Sequence, residues 1–275
     1  MKKYKVLKKG LVSPRQKYKY EINKNYVCDN FNADVKKSCA PGFYAVDVEG
    51  LPCAYKYGYD IWLCEVGGRS VILDQYKQRF EKIKLIKKVG LFDIRKEALS
   101  QEEKLGYKLS EMIFPVHPFF QYPEKVTQKE IDLLNAWVLV NDLVKVPRQD
   151  SVQASVWDSV DDSVWASVWD SVYDSVWDSV GYSVWDLIGD SIYDSVGRLA
   201  WDSTWYSVED SVGAYISSFF PNITKWKYVN HREGENPFQP GIDLWKAGFI
   251  PIYYSGKWRL VYKNNGQIKQ YTREQ

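Results

Sequence analysis

Histidine and methionine are both scarce in this chain, with two residues of each among 275. Histidine is the side chain most often used for acid–base catalysis near neutral pH and a common ligand of transition metals, so its scarcity removes much of that chemistry. Long apolar runs are also missing, since none approaches the roughly 18 residues that a membrane-spanning helix needs. The basic start, MKKYKVLKKG, is followed by no apolar stretch typical of a signal peptide. We therefore expect a cytoplasmic protein without a transmembrane segment.

Motifs for nucleotide binding and nucleophilic catalysis are missing as well. The chain has no GxxxxGK[ST], no GxGxxG and no GxSxG. Its four cysteines, Cys28, Cys39, Cys53 and Cys64, form no CxxC pair, and their spacing is too long for a compact zinc knuckle. We expect buried thiols without a disulfide, with a metal site or a disulfide as the alternatives. The sequence thus predicts no cofactor, no metal and no catalytic residues.

Aromatic residues and an uneven charge distribution are what the chain does have. Tryptophan occurs 12 times and tyrosine 21 times, which favours packing, stacking or binding surfaces. Residues 1–150 contain 27 basic and 19 acidic side chains, residues 151–218 contain 1 and 12, and residues 219–275 contain 9 and 4. Such a basic–acidic–basic chain either neutralises itself internally or offers separate surfaces to separate partners.

A four-residue repeat runs without a phase break from residue 151 to residue 214. Serine occupies its first position in 14 of 16 units, valine the second in 12, and aspartate the fourth in 10. A longer period of sixteen residues aligns Trp169 with Trp185 and Trp201, and Gly181 with Gly197 and Gly213. Repetition at a fixed period is typical of stacked architectures, so sixteen residues is the predicted structural unit.

Two backbones are compatible with this repeat. In a straight α-helix each four-residue step moves the valine stripe about 40° around the axis, so no single face stays apolar. A β-solenoid of sixteen-residue coils, with four sides of four residues, places every valine inside and turns at serine and aspartate. This logic resembles that of the pentapeptide-repeat proteins, although their central leucine or phenylalanine is missing. We predict the four-sided β-solenoid, with helices in the repeat region as the alternative.

The segments around the repeat predict three further parts. Residues 1–90 contain strand-like runs separated by turn residues and are predicted to form a small β-rich N-terminal domain. Residues 91–150 are predicted to be a helical connector, with capping-box patterns at Ser100 and Thr127. Residues 219–275 are predicted to cap the 151–218 solenoid, with a short helix ended by Gly248 and a β-hairpin turning at Asn265-Gly266. The predicted fold class is α+β, or mainly β.

Several segments resemble phage and bacterial proteins with SVWD-type tandem repeats and a small β-rich N-terminal module. The similarity is carried by CAPGFYAVDVEGLPCAY and WLCEVGGRSV, by the SVWD tract, and by GAYISSFF, PFQPGIDLWKAGFIP and GKWRLVY. The resemblance implies this architecture and, as a location, either the cytoplasm or a virion. It implies no activity.

The aromatic and acidic positions of the repeat form the predicted binding surface. Seven tryptophans on the outside of the solenoid would leave a large apolar patch, which must be covered by the flanking domains, a second copy of the chain or a ligand such as a sugar. The predicted surface residues are Trp157, Trp165, Trp169, Trp177, Trp185, Trp201, Trp205, Asp170, Asp174, Asp186 and Asp190. A non-enzymatic scaffold or binding protein is therefore the first hypothesis, with a protein partner or a homo-oligomer. The alternatives are a DNA mimic that inhibits a nucleic-acid-binding protein and a nucleotide- or NAD-dependent enzyme in the N-terminal domain.

The first 24 residues provide a separate candidate. They contain nine lysines and arginines and one glutamate, with Tyr4, Tyr18 and Tyr20 between them. Cations with interleaved aromatic residues can hold a nucleic-acid strand by phosphate contacts and base stacking. The alternatives are a solvated basic edge and a surface that docks on the acidic repeat.

Overall fold

The computed structural model combines α-helices with antiparallel β-sheets, as predicted at the level of fold class. It describes residues 1–15, 17–37, 39–55, 59–73, 77–144, 151–163, 172–173, 176–192 and 198–273. The chain divides into two compact units, Met1–Leu105 (unit 1) and Gly106–Gln275 (unit 2). Unit 1 thus contains the predicted N-terminal domain and the start of the predicted connector, and unit 2 contains all the rest.

Unit 1 is built on an antiparallel sheet of five strands. The strands are β1 (Lys2–Leu7), β2 (Asn25–Val27), β3 (Phe43–Ala45), β4 (Asp60–Ile72) and β5 (Gln78–Lys88). Their order is β1-β4-β5-β2, and β3 also pairs with β5. One of the strand-like runs of the sequence, KYKYEI at residues 17–22, is predicted wrongly, since this segment makes only isolated backbone bridges. It belongs to the long β1–β2 connection, which the site described below uses.

The sheet of unit 1 curls around an aromatic core. An isolated pair of backbone hydrogen bonds, 2.7 and 2.9 Å long, joins Tyr4 of β1 to Val46 just after β3. One face of the curled sheet buries a cluster of large side chains: Leu7, Tyr20, Tyr26, Phe43, Trp62, Val66, Phe80, Ile83 and Leu85. Two helices, α1 (Leu51–Ala54) and α2 (Leu91–Leu105), complete the unit. The predicted capping box at Ser100 is wrong, because Ser100 lies inside α2 and its hydroxyl donates to Glu97 O.

Unit 2 consists mainly of helices. These are α3 (Leu109–Ile113), α4 (Gln128–Leu143), α5 (Ser151–Ser163), α6 (Tyr182–Ile192), α7 (Arg198–Ser217) and α8 (Gln239–Ala247), and a π-helical segment covers Trp177–Gly181. The capping box predicted at Thr127 is confirmed, since Thr127 and Glu130 satisfy each other's backbone N–H groups at the start of α4. Gly248, with a φ of 92°, ends α8 as predicted.

The repeat is helical wherever the structure describes its secondary structure. Residues 151–163, 182–192 and 198–214 are α-helical, and 177–181 form the π-helical segment. These residues therefore follow the helical alternative, and the β-coil predicted for them is not formed there. Residues 164–171, 174–175 and 193–197 lie outside the described part of the chain.

The burial of α7 explains why a drifting valine stripe is tolerated. All residues from Asp210 to Ser217 are buried, so this part of the helix is covered on every side. A helix that is buried all round needs no single apolar face. The π-helical segment also reduces the drift of the valine stripe. A π-helical turn contains more residues than an α-helical turn, so a four-residue step there rotates the stripe in the opposite direction. A drifting valine stripe thus disfavours only a long helix buried on one side, and the described residues of the repeat do not form such a helix.

Serine at every fourth position supplies internal hydrogen bonds in these helices. The hydroxyl of Ser159 donates to Ser155 O (2.7 Å), and that of Ser211 donates to Ser207 O (2.8 Å). Four-residue spacing matches the i to i−4 geometry of an α-helix, which satisfies hydroxyls buried between helices. The small serine and glycine side chains also let α5 and α7 approach, since a Cβ on Gly213 would lie 2.9 Å from Gln153 Cα.

The C-terminal hairpin follows its prediction. Strands β6 (Phe249–Tyr254), β7 (Lys257–Asn264) and β8 (Gln267–Thr272) form a three-stranded antiparallel sheet. Asn265 and Gly266, with φ of 49° and 78°, make the predicted tight turn. The sheet packs along α7, where Ser207 Oγ accepts the N–H of Tyr253 at 3.0 Å and Ser211 Oγ donates to Pro251 O. It therefore covers one side of α7.

Candidate nucleic-acid interface

The connection between β1 and β2 presents a group of cations, which we call the basic loop. Two backbone bridges, Lys8 with Val12 and Val12 with Lys19, fold this connection back on itself. Hydrogen bonds between Ser13 and Tyr18 close the tip, with Ser13 N donating to Tyr18 O at 2.8 Å. The exposed cations of the basic loop are Lys8, Lys9, Arg15, Lys17, Lys19 and Lys24.

Most of these cations lack an anionic partner within the part of the chain that the structure describes. Lys24 pairs with Glu21, with 2.5 Å between Nζ and Oε1. The other five make no ion pair with any described residue. Opposite charges at the surface are usually interspersed, so an unneutralised group of five cations is a candidate site for an anionic partner.

Four aromatic rings, which we call the ring cluster, support the basic loop. They are Tyr18, Tyr20, Tyr26 and Phe43, and every pair has centroids between 4.9 and 6.3 Å apart. Tyr20, Tyr26 and Phe43 are buried in the core of unit 1, whereas Tyr18 is 43% exposed. The cluster thus fixes one exposed ring in the middle of the basic loop.

The structure separates the residues that the sequence grouped in the first 24 positions. Tyr4 is buried on β1, and its hydroxyl donates to Glu97 on α2. Lys3 and Lys5 are buried too, so only Tyr18 and the loop cations are brought together at the surface. Sequence reasoning missed Tyr26 and Phe43, which hold Tyr18 in place. Phe43 lies in the strand-like run GFYAVDV, whereas Tyr26 lies outside the strand-like runs of the sequence.

Lys5 and Cys64 are buried ionisable groups in the same core. Lys5 Nζ donates to Tyr44 O at 2.8 Å and lies 5.1 Å from the centroid of the Tyr20 ring. Burial lowers the pKa of Lys5 to about 8. Burial also raises the pKa of the Cys64 thiol to about 12, so this thiol stays protonated at neutral pH. Both groups are buried, so neither adds an exposed charge to the basic loop.

His117 is held in a structural role, as expected from its position between prolines. Its Nδ1 accepts the N–H of Phe119 at 3.2 Å, which places the proton of the neutral ring on Nε2. Nε2 lies 3.2 Å from Ser183 Oγ, so the imidazole donates to this hydroxyl and is not arranged to take its proton. Burial, followed by the nearby charge of Lys263, lowers the pKa of His117 to about 4.

His231 is also engaged with backbone groups. Its Nε2 accepts the N–H of Trp226 at 2.9 Å, and Nδ1 lies 2.8 Å from Arg232 O. Among the described residues, no three His, Cys, Asp or Glu side chains gather as metal ligands.

The prediction of buried thiols applies to part of the cysteine set. Cys64 is buried and its thiol donates to Lys3 O, whereas Cys28 is half-buried and its thiol donates to Asn30 Oδ1, both at 3.3 Å. Cys39 and Cys53 are exposed, because they lie in the loop before β3 and in the short helix α1 at the surface of unit 1. The prediction is therefore wrong for these two.

The predicted tryptophan surface ranges from buried to exposed where its side chains are described. Trp177 is 4% exposed and stacks on Trp205, with centroids 5.3 Å apart, and Trp185 meets Trp205 edge-on at 4.7 Å. Trp185 and Trp205 are half-buried, whereas Trp157 is 41% exposed and Asp186 is exposed. The rings that contact Trp177 thus belong to the repeat itself.

The remaining predicted surface residues carry no side-chain description. Trp165, Trp169, Asp170 and Asp174 lie outside the described residues. Asp190 and Trp201 lie on the backbones of α6 and α7.

Comparison of the chain with models of known protein families, with curated proteins and with solved structures finds no match. Within the described ranges, every helix is too short or too polar to cross a membrane.

Proposed function

We propose that the protein is a binding protein whose unit 1 binds nucleic acid through the basic loop. The observation that carries this proposal is the set of five exposed cations, Lys8, Lys9, Arg15, Lys17 and Lys19, that have no ion pair among the described residues. Contacts between cations and phosphates supply most of the affinity in non-specific nucleic-acid binding.

The charge of unit 1 supports the same partner. Residues 1–105 contain 22 lysines and arginines and 13 aspartates and glutamates, a formal net charge of +9. A positive field of this kind raises the local concentration of a polyanion and speeds its association. A scaffold role for unit 1 is compatible with this proposal, because a bound strand can be its partner.

For the repeat we propose a structural role in unit 2. The support comes from the buried Trp177, from the serine hydroxyls bonded within and between elements, and from the carboxylate of Asp210, which accepts backbone N–H groups of α5. The repeat as an interaction or oligomerisation surface stays a prediction that depends on exposed positions such as Trp157 and Asp186. The DNA-mimic and enzyme hypotheses also stay predictions.

Binding of labelled oligonucleotides to the full chain, followed by fluorescence anisotropy at several salt concentrations, tests the nucleic-acid proposal. We expect the triple variant Arg15→Gln/Lys17→Gln/Lys19→Gln to lose at least tenfold in affinity at about 0.1 M salt. Its slope of log affinity against log salt should become shallower by about 2 for three lost phosphate contacts on a single strand.

A control of equal charge change is available on α2. Arg95, Lys96 and Lys104 are exposed, and their triple change to glutamine also removes one arginine and two lysines. We expect this control to retain most of the wild-type affinity. Equal losses in the two triple variants, or no binding by the wild-type chain, would overturn the proposal.

A further inference from the structure

We propose that the strand bound by unit 1 is single-stranded and that Tyr18 stacks on one of its bases. This inference rests on the proposed function and names the class of nucleic acid. It combines three observations, namely the exposure of one ring, the support beneath that ring and the exposed cations of Lys17 and Lys19, which flank it in the sequence.

Tyr18 is the one exposed member of the ring cluster. Its side chain is 43% exposed, whereas those of Tyr20, Tyr26 and Phe43 are each at most 9% exposed. Tyr20 and Tyr26 meet the Tyr18 ring nearly at right angles, with interplanar angles of 66° and 81°. The exposed ring is therefore supported by buried neighbours, and little conformational freedom is lost when a ligand stacks on it.

Hydrogen bonds of the loop backbone also hold Tyr18 in place. Ser13 N donates to Tyr18 O at 2.8 Å, and Tyr18 N donates to Ser13 Oγ at 3.3 Å. Lys17, with a φ of 53°, takes the left-handed conformation that reverses the chain just before Tyr18. Both flanking residues, Lys17 and Lys19, have exposed cationic side chains.

Two cations of the basic loop, Lys8 and Lys19, form a row on the side opposite to Tyr18, because successive side chains of an extended strand alternate and Tyr18 packs with Tyr20. Antiparallel bridge partners direct their side chains to the same side, so Lys8, Val12 and Lys19 share one side of the folded loop. With neighbouring strands about 4.8 Å apart, the backbones at Lys8 and Lys19 are separated by about 10 Å. The long, flexible lysine stems extend past the edge of this narrow loop, where they can reach phosphates of a strand whose base stacks on Tyr18.

Stacking on Tyr18 requires an unpaired base. In a duplex each base is already stacked on its neighbours, and a side chain reaches a base face only after unstacking. A supported aromatic ring among cations is the usual arrangement of single-strand binding surfaces.

The ring cluster does not have the geometry of a cage for a methylated ammonium group. A cation held by several rings lies within about 6 Å of each centroid and needs an open space between them. Here the centroids are only 4.9–6.3 Å apart, so the rings contact one another and fill that space. Tyr18 thus offers a surface for stacking and not a pocket.

The test compares three ligands with the full-length chain: a 12-nucleotide single strand, a duplex of the same length, and a 12-unit abasic strand with the same phosphates. We expect the wild-type chain to prefer the base-containing single strand to the abasic strand by about tenfold, as for one stacked base. Tyr18→Ala should abolish this preference, leaving affinity for the abasic strand and the salt dependence unchanged. Tyr18→Phe should keep the preference, because stacking needs the ring and not the hydroxyl.

Tyr122→Ala is the matched control, since Tyr122 is also an exposed tyrosine (53%) but lies in unit 2. It should bind all three ligands like the wild-type chain. If Tyr18→Ala keeps the preference, or if the abasic strand and duplex bind as tightly as the single strand, the stacking inference is wrong while the nucleic-acid proposal stands. If the wild-type chain binds none of the ligands, the proposed function itself fails.

Discussion

The carboxylate of Asp210 accepts the backbone N–H of Val152 at 2.9 Å, although the two residues are 58 positions apart. The same Oδ1 accepts the N–H of Gln153 at 3.1 Å. Asp210 lies on α7 and is buried, so one copy of the repeat provides the anion for the helix N-terminus of another. A carboxylate in this place satisfies N–H groups without an intrahelical partner and interacts favourably with the helix dipole.

Replacing this carboxylate tests how strongly the two helices depend on it. We expect Asp210→Ala to lower the free energy of unfolding of unit 2 by about 2 kcal/mol, because it leaves two N–H groups without an acceptor. Urea unfolding followed by tryptophan fluorescence measures the loss. Asp202→Ala is the control, since Asp202 is exposed on the same helix and its removal should change stability by less than about 0.5 kcal/mol. Equal effects of both substitutions would contradict the role assigned to Asp210.

The close approach of α5 and α7 predicts an unusual effect at Gly213. Alanine is a better helix former than glycine by about 1 kcal/mol, so Gly213→Ala should stabilise an uncrowded helix. A Cβ at this position would lie 2.9 Å from Gln153 Cα, which cannot move as a side chain can. We therefore expect a net loss of about 1–3 kcal/mol in thermal or urea unfolding. Ser203→Ala on the same helix should be nearly neutral, and a stabilising Gly213→Ala would show that the helices are not in contact there.

Lys5 predicts a pH-dependent effect in unit 1. Its pKa is about 8 in the folded chain against 10.5 as the model-peptide value. Between these values the unfolded chain binds the extra proton, so the Lys5 contribution makes unit 1 more stable as pH rises. Lys5→Met removes the cost of burying the ammonium group, so its stability relative to wild type should be highest near pH 7.

Comparing the wild-type chain with Lys5→Met separates the titration of Lys5 from that of the tyrosines and cysteines, which both proteins contain. We expect the relative advantage of Lys5→Met to shrink by about 1 kcal/mol between pH 7 and pH 9. Hydrogen–deuterium exchange of the β1 amides reports on unit 1 separately from the tryptophan-rich unit 2. A difference that stays constant over this range would show that Lys5 keeps its ordinary pKa.

His117 predicts a simple NMR result. With a pKa near 4, its ring should remain neutral from pH 8 to about pH 5 and show no shift of its Cε1 proton. Since the unfolded chain takes up this proton near pH 6.5, the contribution of His117 to stability is lost as pH falls from 6.5 towards 4. The chain has only two histidines, so His231→Asn assigns the His117 signal. A midpoint near 6.5 for His117 would contradict the buried, bonded ring.

Local patterns were sufficient for the elements whose hydrogen bonds are local. The capping box at Thr127, the end of α8 at Gly248 and the turn at Asn265-Gly266 each depend on a few adjacent residues, and each is found as predicted. The basic character of the first 24 residues was equally visible, because composition alone establishes it.

Two features depend on residues far apart in the chain: the helical backbone of the repeat, and which side chains of the first 24 residues reach the surface. Nothing in the sequence around Val212 indicates that the part of α7 from Asp210 to Ser217 is covered on all sides, and this burial is what allows a helix without a single apolar face. Likewise, Tyr4, Tyr18 and Tyr20 are equivalent in sequence, but only Tyr18 remains exposed. The rings that contact it, Tyr26 and Phe43, come from strands later in the chain. The sequence by itself determined local turns, caps and charge. Only the tertiary structure decided which side chains are buried, because burial depends on contacts between residues far apart in the chain.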